Sequence, residues 1–447
     1  MKFETLRKIL SEAAKEAGIV DYEIYYQSGS SLSADALKDE INSFISSTEG
    51  GLCFRCVVDG KQGYASSELL TDEALRELPA KALANAGVSS SEDEVSLFAG
   101  SVSYAKLDRD EARFPEASDL CRSALDLQKS LYAESPKVGD GTQSGIAYYE
   151  EEVYLSNSKG LNLSNRICGG LRYADAVVRE GDEAESASRF AEEQNEADCK
   201  GLAKKTVEAA CARLGAVTIS SGKYPIVIDG RVAKDFLSAF SPIFSAKNAQ
   251  KGLSRLAGKE GETIASSLVT IVDDPMRKGS FAKTNFDGEG VATARREVVK
   301  DGVLTTLLYD LTTAKKAGVE STGNGQKASY ASPVSIAPYQ FSILPGKNTR
   351  EALFGLAKDG IFVTGCKGFH AGADAVTGDF SIESYGFLIR DGRMAEPIKS
   401  FTISGNFFDV LKEIAGIGDS IFWGMPSGFT AFGSPDLFLS SISVAGE

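Results

Sequence analysis

The segment GFHAGADAVTGDFS, residues 368–381, holds the only histidine of the chain, His370, with Asp379 and Ser381 close behind it. An imidazole near a carboxylate and a hydroxyl has the makings of acid–base or nucleophilic chemistry, which makes all three residues candidates. A single histidine also removes options. HExxH zinc helices need two imidazoles, so that chemistry is excluded. No G-x-S-x-G elbow occurs, and GEGVAT (288–293) and GNGQKA (323–328) both fail as phosphate-binding glycine loops. Ser220-Ser-Gly-Lys223 fits a Ser-x-x-Lys dyad, a pattern short enough to arise by chance. Asp273-Asp274-Pro275 and Asp287-Gly288-Glu289-Gly290 offer oxygens suited to Mg²⁺ or Ca²⁺. Asp-Pro and Asp-Gly are turn formers, however, and turns are the simpler reading. Cys53 and Cys56 form a CxxC in strand-like sequence, where residues three apart face opposite sides. No second CxxC completes a zinc site, and the pair is expected to pack as small buried hydrophobes.

The formal net charge of −14 repels phosphate backbones and anionic lipid, which argues against nucleic acid and membrane partners. No apolar run is long enough to cross a bilayer. The start, MKFETLRKILSEAAKEAG, lacks the apolar core of a signal peptide and carries Glu4, Glu12 and Glu16, so a cytoplasmic location is predicted. Seven scattered cysteines read as free thiols in a reducing compartment.

The elements around these residues predict an α+β fold in two domains, an N-terminal α+β domain over 1–215 and a β-rich domain over 216–447. Leu6, Ile9, Leu10, Ala13 and Ala17 fall at helical spacing, and Gly18 ends that pattern. Residues 21–66 alternate as three to five strands of a meander. Thr71 is a plausible N-cap for a helix over 71–86, which Pro79 is expected to kink or split. Residues 88–112 read as loop, 117–134 as helix and 196–214 as a further helix. The acidic run Glu150–Glu152 is expected on a solvated strand edge. Beyond residue 222, YPIVIDG enters a short helix, VAKDFLSAFSPIF, stopped by Pro242; the remainder is strand-rich apart from the helix TREALFGLAKDG.

The order of the C-terminal segments resembles the TldD/PmbA family, also called the modulators of DNA gyrase or TldD/TldE proteases. The resemblance is carried by LSRLAGKEGETIASSLVTIVDDP (253–275), FDGEGVATARREVVKDGVL (286–304), STGNGQKASY (321–330), LPGKNTREALFGLAKDGIFV (344–363), TGDFS (377–381), GFLIRDGRMAEPI (386–398), ISGNFFDVLKEIAGIG (403–418) and GSPDLFLSSISVAG (433–446). In that family, TldD-type chains carry HExxxH on the helix after the first strand of the C-terminal domain. Its histidines and a cysteine near the C-terminus bind zinc, and its glutamate is the general base. The matching positions here are Asp229, Gly230 and Lys234, and SIFWGMPSGFTAFGSPD contains no cysteine. An ammonium at position 234 cannot serve as a neutral zinc ligand, and glycine at 230 supplies no base.

The resemblance therefore implies a PmbA/TldE-type chain without zinc, a non-catalytic subunit of a cytoplasmic metalloprotease that processes or degrades small unfolded peptides. Its expected partner is a TldD-like zinc subunit, or a second copy of itself, with zinc held only by the TldD-type partner. Peptide capture by β-addition to an exposed edge suits the strand-rich composition. An Asp229–Lys234 ion pair in place of the metal is one expectation. Asn324, in STGNGQKASY, joins His370, Asp379 and Ser381 as a binding candidate. The alternatives are an independent hydrolase with a site near His370, and a peptide-binding or gyrase-modulating protein.

Overall fold

The computed structural model describes residues 2–88, 95–107, 114–193 and 196–447. The N-terminal half is built on one antiparallel sheet of long strands: β1 (Asp21–Leu37), β2 (Glu40–Val58), β3 (Lys61–Ser67), β4 (Gln143–Asn157), β5 (Asn162–Glu180) and β6 (Glu183–Glu192). They lie in the order β3-β2-β1-β4-β5-β6, so β3 and β6 are the edges. Two groups of helices cover it. Phe3–Glu16 and Asp72–Gly87 bury Leu6, Leu10, Leu75 and Leu78 against Ile24, Leu52 and Phe54. Ala117–Glu134 and Leu202–Cys211 cover the other end through Leu131, Leu202 and Val207 on Ala174, Ala176 and Val178.

Several local expectations change in this frame. The Thr71 side chain does cap its helix, accepting from the amide of Ala74 at 3.3 Å, but Pro79 lies inside one continuous helix. The predicted 196–214 helix is two pieces, Glu196–Cys199 and Leu202–Cys211, separated by Gly201 in the left-handed region at φ 74°. Glu150–Glu152 is not on an edge: β4 pairs with β1 on one side and β5 on the other. Arg166, on the neighbouring β5, ion-pairs with Glu150 and lies 4.0 Å from Glu152. Part of the predicted 88–112 loop, 89–94 and 108–112, lies outside the described residues. Cys53 and Cys56 enter two different cores on opposite faces of β2, and burial raises the pKa of each thiol, which leaves both unreactive.

The C-terminal half packs two six-stranded sheets over one continuous core and carries a two-stranded pair, Gly325–Lys327 with Val334–Ile336. In the first, Arg393–Asn406, Asp379–Arg390, Gly360–Lys367, Gly222–Ile228, Leu437–Ala445 and Ile414–Ile417 follow one another. Strands 393–406 and 437–445 also pair directly, through Ile403 and Val444, so five of the strands close into a ring. The second sheet runs Val303–Leu304, Arg296–Lys300, Ile271–Asp273, Gln340–Ile343, Ala431–Ser434 and Phe422–Trp423. Helix Gly230–Phe240 packs between them, burying Val232, Ala233, Phe236, Leu237 and Phe240, and Phe240 stacks on Phe407 at 4.4 Å.

Candidate functional site

The site begins where strand Gly222–Ile228 passes into helix Gly230–Phe240. Asp229 caps that helix, its Oδ1 accepting from the amide of Arg231 at 2.8 Å. The carboxylate is only 2% exposed and meets two guanidinium groups, those of Arg231 at 2.9 Å and Arg350 at 3.1 Å. Arg350 opens helix Arg350–Ala357 and forks onto a second buried carboxylate, Asp436, through Nε at 2.6 Å and Nη2 at 3.0 Å. Asp436 Oδ1 also accepts from the amide of Gly230 at 2.7 Å. The Arg231 guanidinium lies 4.4 Å above the ring of Phe422.

Position 230 has no room for a side chain. An ideal Cβ there would sit 2.4 Å from the Ser434 carbonyl oxygen, 2.6 Å from Phe422 Cδ2 and 3.1 Å from the Pro435 carbonyl carbon. Lys234 ion-pairs with Asp235, and its aliphatic stem runs beside Gly424. The expected Asp229–Lys234 pair is therefore corrected: Asp229 is taken by two arginines and Lys234 by its own neighbour. The donor set does not suit zinc, because both carboxylates are engaged by cations and the third position carries an ammonium. Among the described residues there is no group of three His, Cys, Asp or Glu placed to hold a metal.

The residues flagged around the sole histidine do not assemble. His370 is exposed on the four-residue helix Phe369–Gly372. Asp379 is exposed and accepts from Asn406 Nδ2 at 2.8 Å, which with the Thr377 hydroxyl lowers its pKa. Ser381 is exposed on strand Asp379–Arg390, and no hydrogen bond among the described residues joins it or Asp379 to His370. Asn324 is buried elsewhere and holds structure together. Its Nδ2 donates to Asp273 Oδ2 at 2.7 Å and to the Ala337 carbonyl at 3.1 Å.

Sequence reasoning missed a cavity of about 580 Å³ between the N-terminal sheet and the C-terminal half, lined by Arg55, Tyr64, Glu289, Tyr309, Asp310 and Lys316. Arg55 forms a buried fork with Glu23 at 2.9 and 3.1 Å. The acidic turns lie behind this wall. Asp287 accepts from the amides of Glu289, Val291 and Gly325, each at 2.9 Å, so the turn reading describes its role. Burial raises the pKa of Asp287 and of Glu289, which Asp287 raises further, and pushes Asp273 up to about 7. No single-sequence signal marks the cavity, since its walls come from segments far apart in the chain.

Family models match two stretches: the PmbA/TldA metallopeptidase C-terminal domain over residues 221–446 and the PmbA/TldA metallopeptidase domain 1 over residues 22–86. A metalloprotease of Methanothermobacter thermautotrophicus is 32% identical over 265 residues, 59% of this chain and 54% of that relative's length. The metalloprotease PmbA homolog of Haemophilus influenzae is 27% identical over 94% of this chain and 92% of its own. A crystal structure from Thermotoga maritima, described as a candidate modulator of a DNA gyrase, superposes with a TM-score of 0.88 at 28% identity, covering 99% of this chain and 100% of that one.

Proposed function

Since the chain belongs to the PmbA/TldD metallopeptidase family, we propose that it serves as a non-catalytic, PmbA/TldE-like subunit of a cytoplasmic peptidase that processes small unfolded peptides. The observation that carries this reading is the packing at Gly230. The family's general base would stand there, and the Ser434 carbonyl and the Phe422 ring fill the space its Cβ needs. The two neighbouring ligand positions have become an ion-paired cap and a lysine. Among the described residues no helix is long and apolar enough to cross a membrane.

In this reading the chain's own residues bind and orient. The Asp229–Arg350–Asp436 tie fixes the strand–helix junction, and β6 is an edge strand to which an extended peptide would add by displacing the guanidinium groups on its Ser186 and Ser188 carbonyls. Water activation belongs to an HExxxH-bearing partner subunit. The test is co-expression with such a paralogue and purification through a tag on one chain. Co-purification and peptide hydrolysis that requires both chains are expected. Failure to co-purify, or hydrolysis by this chain alone that His370→Ala abolishes, would overturn the proposal in favour of an independent hydrolase.

A further inference from the structure

Around Asp229 the guanidinium groups outnumber the carboxylates that meet them. Arg231 and Arg350 share Asp229, and Arg350 takes Asp436 as well. Arg189 lies on β6 between Glu185, which holds the Arg213 guanidinium that covers Tyr385, and Glu192, 3.5 Å from the Arg277 guanidinium that covers Trp423 next to Phe422. Its Nη1 donates to the Ser188 carbonyl at 2.8 Å, and no carboxylate among the described residues pairs with it. Burial lowers its pKa and the charges of Arg231 and Arg350 lower it further, while Asp229 opposes them. Tyr385, another neighbour of Arg189, carries the Arg213 guanidinium 3.8 Å above its ring and the Lys367 ammonium at 5.8 Å. Arg213 is neutralised by Glu185 at 2.9 Å. Lys367 lies across the ladder from Glu383, so the uncompensated charge is that of Arg189: Arg231 and Arg350 already hold Asp229 and Asp436.

We infer that this patch is a carboxylate-binding site, which receives the C-terminal carboxylate or an acidic side chain of a bound peptide on Arg189. The inference rests on the peptide-handling reading above. A half-buried guanidinium beside like charges is costly until an anion joins it. Its planar fork matches a planar carboxylate in bidentate fashion. The Asp229 and Asp436 carboxylates behind the patch disfavour a dianion such as phosphate. Arg231 and Arg350 keep 37% and 30% of their side-chain surface exposed, so the patch is open to a ligand.

The test is fluorescence anisotropy on the purified full chain with three N-terminally labelled, unstructured peptides. One has a free C-terminus and no Asp or Glu, one is its C-terminal amide, and one is an amide with an internal Glu. At least one acidic peptide is expected to bind tenfold or more tightly than the plain amide. Which one does so tells the terminal from the side-chain carboxylate. Arg189→Met should erase that difference, about ten- to a hundredfold, and leave amide binding unchanged. Arg189→Lys should keep part of it. The Tm of Arg189→Met should hold or rise, because a like charge is removed. Equal affinity for all three peptides, no binding of any, or a Tm fall of several degrees would overturn the inference. Co-purification with the zinc subunit, measured on the same variant, is expected to be undiminished. Wild-type assembly without carboxylate discrimination would sink this inference alone, whereas discrimination without assembly would sink the subunit reading alone.

Discussion

Gly230→Ala adds one methyl group, and the structure fixes both the sign and the scale of its effect. Gly230 is not in the left-handed region, so alanine meets no backbone strain there. On helix propensity alone the change would stabilise by up to about 1 kcal/mol. The packing says otherwise. Carbon contacts are comfortable at about 3.5–4.0 Å, yet the new Cβ would fall 2.4 Å from the Ser434 oxygen and 2.6 Å from Phe422 Cδ2. The Ser434 contact is to backbone that no rotamer change can move. The helix start must shift, which strains the 2.7 Å hydrogen bond from the Gly230 amide to Asp436. Overpacking costs about 1–3 kcal/mol and a weakened bond to a charged acceptor about 1 more. A net loss of about 1–4 kcal/mol is expected once the propensity gain is subtracted, read as a lower urea midpoint at unchanged m-value. A variant as stable as the wild type, or more so, would refute the claim that this junction excludes a glutamate.

Two other perturbations probe the wall of the cavity between the N-terminal sheet and the C-terminal half. Arg55→Met strands Glu23 in a site where both side chains are about 5% exposed, and should cost about 3–5 kcal/mol in urea unfolding. Adding Glu23→Gln should recover much of that loss. Asp273, Asp287 and Glu289 are carboxyls whose folded pKa is raised, so the native state holds protons that the unfolded chain releases above about pH 4. Their contribution is complete below that pH and is lost as pH climbs through the raised values near 7 to 8. The Tm should therefore decline between about pH 5 and pH 8.5 on their account, and Glu289→Gln should flatten the decline in a pH series of melting curves.

What could be read in advance was mostly local. The cap at Thr71 binds the amide three residues on, and the helix expected in TREALFGLAKDG forms over Arg350–Ala357. The partners of Asp229 were out of reach: Arg350 lies 121 residues away in the chain, and Asp436 a further 86. A lone sequence gives no periodicity that links such positions. Charge on Glu150–Glu152 does not mark an edge, because the cation that offsets it sits across the ladder on Arg166. Nor does Pro79 mark a break. At the eighth position of its helix it falls past the first turn, yet burial beside Leu75, Leu78 and Ala82 keeps the element whole. His370 drew attention by its rarity alone, and rarity carries no information about neighbours.

The fork of Arg350 joins the head of a helix to the head of the last strand, closing a loop of more than 200 residues. Because that closure is made of charges supplied by the chain itself, it forms in the same event as folding. Losing Arg350 alone would take a cation from two buried carboxylates at once, one at each end of that loop.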